Sequence, residues 1–116
     1  MKYFIYVNDE IKEVPEAEYE AWYSLEGENY NLPDYSILID GNQYSIETKY
    51  VGALDKDEWD NPMPFVLFYF EDEYKIHPDG IRSNHDKDII EYFKSFDELV
   101  KYRNDLIQKI ESRIKT

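Results

Sequence analysis

The chain has 116 residues, 26 acidic against 13 basic side chains for a formal net charge of −13, 17% aromatic residues and no cysteine. That length suits one domain with one core, and the apolar content is high enough to argue against disorder despite the charge; disulfides, thiolate catalysis and cysteine-based zinc sites are excluded. The acid is concentrated, with 19 carboxylates against 5 cations in residues 1–80 and 7 against 8 in residues 81–116, so the first two-thirds repels nucleic acid and anionic membrane and attracts basic protein surfaces.

Residues 2–7 (KYFIYV) are aromatic and β-branched, Asn8-Asp9 favours a turn, and residues 11–14 alternate, which predicts a short hairpin. Pro15 suits the first turn of a helix and Glu16, Glu18 and Glu20 suit the positive end of its dipole, placing a helix at about residues 15–25. Its stripe Val14, Ala17, Ala21, Trp22 and Leu25 is expected to face the core, with Tyr19 and Tyr23 outward, Gly27 as the stop and a loop over 28–33. Residues 35–39 and 43–51 flank Asp40-Gly41-Asn42, a hairpin signal because glycine accepts a positive φ. Residues 52–64 (GALDKDEWDNPMP) are acidic and proline-broken and read as a long exposed loop around Trp59. FVLFYF at 65–70 is apolar throughout, as in a central strand covered on both faces. Residues 74–76 are expected to continue the sheet after a turn, 77–86 to form a loop, and 89–93 fit either a last strand or a helical lead-in. Ser95 and Glu98 have the capping-box spacing, and Phe96, Leu99, Val100, Arg103, Leu106, Ile107, Ile110 and Ile114 follow a helical stripe. The second helix is therefore placed at about 95–115, with Arg103 snorkelling or paired to an acidic neighbour. The pattern predicts a single α+β domain over 1–116: a small, mostly antiparallel sheet with two packed helices.

No apolar run approaches the roughly 18 residues of a membrane span, and MKYFIYVNDE lacks the features of a secretory leader, so a cytoplasmic location is expected. The sharpest catalytic pattern is Asp34 with Glu47 and Lys49, the spacing of PD-(D/E)xK nucleases. Glu47 and Lys49 share one face of a strand, and the hairpin could bring Asp34 alongside to hold Mg²⁺ while Lys49 orients the attacking water. An ordinary strand face with an ion pair fits the same residues better, because nothing flanking them is basic enough to hold a phosphate backbone. Residues 55–60 place Trp59 and Asp60 where a calcium loop needs a ligand and a glycine, and His77 and His85 have no zinc-ligand spacing. No cofactor or metal is expected. Aromatics mixed with carboxylates point instead to protein binding, on the outer face of the first helix (Glu16, Tyr19, Glu20, Tyr23) and in the acidic loop (Asp55, Asp57, Glu58, Trp59, Asp60), with Trp59 as an exposed contact anchor.

Taken end to end, the chain resembles a family of small phage and mobile-element proteins of uncharacterised function. Residues 18–22 match that family's Trp-containing amphipathic segment, residues 46–52 (IETKYVG) its strand typified by VSTVFLGLDH, residues 64–68 (PFVLF) its PPLLFETMVF, and residues 92–99 (YFKSFDEL) its Y-x-T-W-E-E-A helix. The chain departs where the family has LDH and FETM. The family pattern carries Ser and Val at the positions of Glu47 and Lys49, which weakens the nuclease reading. The resemblance implies a mobile-element origin and, by analogy, a non-enzymatic inhibitor of the anti-CRISPR or DNA-mimic type acting on a basic, nucleic-acid-binding host protein. The Mg²⁺-dependent nuclease and an immunity protein against a toxin nuclease are the alternatives.

Overall fold

Two tight turns organise the N-terminal half. Strand β1 (Lys2–Val7) returns as β2 (Glu10–Val14) through Asn8 and Asp9, with φ of 53° and 61°. β3 (Tyr35–Ile39) returns as β4 (Asn42–Tyr50) through Asp40 and Gly41, at 49° and 83°. Positive φ at both central residues matches the turn twist to that of the strands, and Asn, Asp and Gly tolerate it best. The computed structural model describes residues 1–77 and 80–114, and the side chains of 1–72 and 88–114.

The fold is α+β, with the strands divided between two antiparallel sheets instead of one. The short β5 (Ala53–Leu54) adds to β1, giving the order β2-β1-β5. The long β6 (Phe65–His77) and β7 (Gly80–Phe93) complete the order β3-β4-β6-β7. The expected loop over 77–86 is thus mostly strand: β6 and β7 pair from Phe65↔Phe93 to His77↔Gly80, with a register shift between Glu71 and Asp72. Pro78 and Asp79 lie outside the described residues, as do the side chains of His77 and His85. Residues 89–93 are strand, and 74–76 continue β6 without a turn.

Helix α1 (Glu16–Leu25) buries Trp22 of the expected stripe, with Val14 against the core, but turns the rest of that stripe outward. Trp22 is buried, Tyr19 and Tyr23 pack beside it, and Ala17, Ala21 and Leu25 are exposed, Leu25 at 80%. Three large rings at i, i+3 and i+4 remove far more apolar surface from water than two alanines and a leucine, which decides the orientation. Pro15 is the N-cap residue. Gly27 is buried and opens a 3₁₀ turn (Gly27–Tyr30); an added Cβ would meet Tyr23 Cδ2 at 2.7 Å and Trp22 Cζ3 at 2.8 Å, so its role is space for the rings. Helix α2 (Phe96–Glu111) is capped by Ser95, whose Oγ accepts from Glu98 N–H at 3.2 Å. It ends before the expected residue 115 and leaves Ile114 exposed.

Both helices share one core. Trp22 contacts Tyr50 edge-on at 5.0 Å, Tyr30 contacts Phe65 at 5.6 Å and Phe96 at 4.9 Å, and Tyr6 meets Phe65 at 4.8 Å. Such tilted and edge-to-face pairs add to the apolar burial itself. The segment before β3 is stitched to β4 by Leu32 N–H to Thr48 Oγ1 (3.0 Å) and Tyr50 N–H to Asn31 Oδ1 (2.8 Å). Arg103, expected to snorkel or to pair with an acidic neighbour, reaches the same segment and donates to the Pro33 carbonyl at 3.0 Å.

Candidate partner-binding surface

Strand alternation gives the four-stranded sheet two unlike faces. The inner face carries Tyr44, Ile46, Thr48 and Tyr50 of β4 and Phe65, Leu67 and Tyr69 of β6, all buried in the core shared with the helices. The outer face follows from the register. Phe70 lies between Ser45 and Asp88, Phe68 between Glu47 and Ile90, and Val66 between Lys49 and Tyr92. The expectation that β6 is covered on both faces holds at Val66, which is 2% exposed, but not beyond it. Phe68 and Phe70 are half-buried, Ile90 is 52% exposed, Tyr92 53% and Leu38, on β3, 65%. The Phe68 and Phe70 rings lie parallel within 1°, 6.4 Å apart. An apolar stripe therefore runs along β6 and β7, bordered by Glu47, Asp72 and Asp88, and Lys49 is the one cation among the described residues of this face.

The acidic segment 55–60 hangs at the Tyr92 end. Its anchor is the crossing of the two sheets, where Phe4 N–H donates to the Gly52 carbonyl at 2.8 Å and Tyr50 Oη–H to the Phe4 carbonyl at 2.7 Å. Segment 52–64 is less open than expected. Besides β5, it holds a 3₁₀ turn (Lys56–Glu58) closed by reciprocal capping, in which the Asp55 side chain accepts from Glu58 N–H and Glu58 Oε2 accepts from Asp55 N–H at 3.2 Å. Asp55, Asp57, Glu58 and Asp60 are exposed. Leu54, Asp57, Glu58, Asn61, Met63 and Tyr92 line an open cavity of about 350 Å³ between this segment and the sheet.

Trp59 is not the freely exposed anchor expected. It is half-buried, its Nε1–H donates to the Leu54 carbonyl at 3.2 Å, and the Lys2 ammonium lies 4.4 Å from its ring centroid while also pairing with Glu13 at 3.4 Å. Glu16 and Glu20 of α1 are exposed as expected, near Tyr3, whose hydroxyl pKa is raised by desolvation and by these two carboxylates. Tyr19 and Tyr23 instead face inward, stacked on each other at 5.9 Å, so the outer face of α1 carries acid without the aromatic contacts assigned to it.

For the nuclease pattern, the hairpin register ends at Tyr35↔Ile46, one residue short of an Asp34–Glu47 pairing, while Glu47 and Lys49 share one face of β4. Asp34 and Lys49 are exposed and Glu47 is half-buried. Among the described residues no three His, Asp or Glu side chains come together to hold a metal ion. The surroundings are apolar rings and carboxylates, a field that disfavours approach of a phosphate backbone. Among the described residues no helix is long and apolar enough to cross a membrane. Sequence reasoning missed Phe68, Phe70 and Ile90 as surface residues and took Tyr92 as a half-buried sheet tyrosine with a solvated hydroxyl. The available signal was their alternation with Leu67, Tyr69 and Glu91, which a strand apolar on both faces conceals. Comparison with protein-family models, curated proteins and solved structures found no match.

Proposed function

We propose that this protein is a non-catalytic binding module that receives a basic, nucleic-acid-binding protein on the open face of its four-stranded sheet and the adjoining acidic segment. The observation that carries this reading is the outer-face stripe of half-buried Phe68 and Phe70 with exposed Ile90 and Tyr92, with neither helix over it and carboxylates at its border. An apolar centre inside a charged rim is the usual anatomy of a protein interface: the rings supply the desolvated anchors, while the rim sets partner sign and association rate. Phosphates and carboxylates attract the same cationic surface, so occupancy by this protein would displace nucleic acid from its partner and inhibit it.

The test is capture from host lysate on immobilised protein, comparing wild type with a Phe68→Lys/Ile90→Lys variant. Wild type should retain a basic nucleic-acid-binding protein that elutes steeply with salt, is displaced by competing DNA or RNA, and is absent from the variant column. Retention of identical partners by both columns, or of none by wild type, refutes the reading.

A further inference from the structure

The cavity at the Tyr92 end of the stripe has a chemistry more specific than general acidity. Leu54, Met63 and Tyr92 give it apolar surface, Asp57 and Glu58 carboxylates and Asn61 an amide, and among the described residues its lining contains no cation. Tyr92 is half-exposed, so its ring is available, and Asp57 makes no hydrogen bond or ion pair within the described residues. Glu58 gives Oε2 to Asp55 N–H, which fixes its carboxylate through the capping pair. A side chain suited to this cavity has an aliphatic stem, a cationic head and several donors.

The molecule builds the same combination twice for its own cations. The Arg113 guanidinium lies 4.9 Å from the Tyr44 ring centroid and 4.0 Å from a Glu71 oxygen. Lys2 lies over Trp59 and beside Glu13. In both cases an aromatic face and a carboxylate together hold one cation. Tyr92, Asp57 and Glu58 likewise bring a ring and two carboxylates together, here lining an open cavity of about 350 Å³.

Resting on the binding role proposed above, we infer that this cavity is the receptor for one arginine side chain of the basic partner. The stem would lie against Leu54 and Met63, the guanidinium plane against Tyr92, and its N–H groups would donate to Asp57 and Glu58. Arginine fits better than lysine because a planar guanidinium can stack on a ring and donate in its own plane at the same time, whereas an ammonium is a compact, strongly hydrated point charge. The cavity would then supply a specific anchor at one end of a broader apolar contact.

The experiment titrates the whole protein at low salt with N-acetyl-arginine amide, following the Leu54 and Met63 methyl groups and the Asn61 side-chain amide by NMR. N-acetyl-citrulline amide, of nearly the same shape without the charge, is the control, and octa-arginine peptide serves as a general basic ligand. Arginine amide should shift these three residues saturably, with citrulline amide and the Asp57→Asn variant each about tenfold weaker, the scale of losing one charge-assisted contact. The Asp57→Asn melting temperature should be unchanged. Equal response to arginine and citrulline, or shifts confined to α1, would overturn the cavity assignment; if octa-arginine still binds across the sheet face, the wider reading survives. Failure of octa-arginine to bind at all would overturn both.

Discussion

Gly52→Ala tests the crossing on which the candidate surface depends. Gly52 is buried between β4 and β5, and an added Cβ would fall inside contact distance of the Phe4 carbonyl oxygen, 2.6 Å from Tyr19 Cε1 and 2.7 Å from Tyr50 Cε1. The two rings can give way only into the aromatic core, and the carbonyl belongs to β1. Relief therefore requires moving one sheet relative to the other, which weakens the Phe4 N–H to Gly52 carbonyl bond and the Tyr50 hydroxyl to Phe4 carbonyl bond. Overpacking costs about 1–3 kcal/mol and each weakened hydrogen bond about 1 kcal/mol. The expected loss is about 3–5 kcal/mol, a large share of the roughly 5–15 kcal/mol that stabilises a domain, and corresponds to a melting-temperature drop of about 12 °C or more. Urea and thermal unfolding by circular dichroism would measure it. Gly41→Ala, at φ 83° in the β3–β4 turn, is the control and should cost about 1–2 kcal/mol from backbone strain. A Gly52→Ala loss no larger than the control's would refute the close crossing.

Trp59→Ala should cost about 1–2 kcal/mol through loss of ring burial, the bond to the Leu54 carbonyl and the Lys2 contact, read as a lowered urea midpoint; unchanged stability would restore the exposed-anchor expectation. Trp22→Ala should destabilise by about 3–5 kcal/mol, whereas Leu25→Glu on the same helix should stay within about 0.5 kcal/mol by the same assay, and a reversed order would contradict the observed orientation of α1. Burial and a hydrogen bond to Glu71 push the Tyr69 hydroxyl up to about 12, and burial raises Tyr50 as well. Because the folded pKa exceeds the unfolded value of 10.0, this contribution is complete below pH 10 and is lost as pH climbs toward 12. Tyrosinate absorbance of these groups should therefore appear together with alkaline unfolding, and their free ionisation in a still-folded protein at pH 10 would contradict it. Glu47→Ala should leave the melting temperature within about 1 °C with or without Mg²⁺, and metal-dependent DNA or RNA cleavage abolished by this substitution would reinstate the nuclease reading.

The parts of the fold legible in the sequence are those fixed by local chemistry. Asn8-Asp9 and Asp40-Gly41 mark turns that need positive φ, and Ser95 with the stripe from Phe96 to Ile110 marks a helix whose cap and buried face agree. What stayed hidden depends on long-range packing. Spacing marked Trp22 as buried but could not choose between its Ala17–Ala21–Leu25 flank and its Tyr19–Tyr23 flank, because the outcome turns on which side meets Tyr50 and Gly52. The β6–β7 arm reads as a loop because its polar residues pair backbone to backbone beyond the end of β4 without an apolar pattern. β5 is two residues long and exists only through its pairing with Lys2 and Tyr3. The candidate surface escaped notice for a related reason: in FVLFYF the buried Phe65, Leu67 and Tyr69 alternate with the outward Phe68 and Phe70, and composition alone cannot separate the two sets.

Hydrogen–deuterium exchange on the captured complex locates the contact most directly. If the open sheet face is the binding surface, partner addition should protect residues 65–72, 88–93 and 53–63 while leaving α1 and α2 unchanged. Protection confined to α1, or absent from β6 and β7, would contradict it.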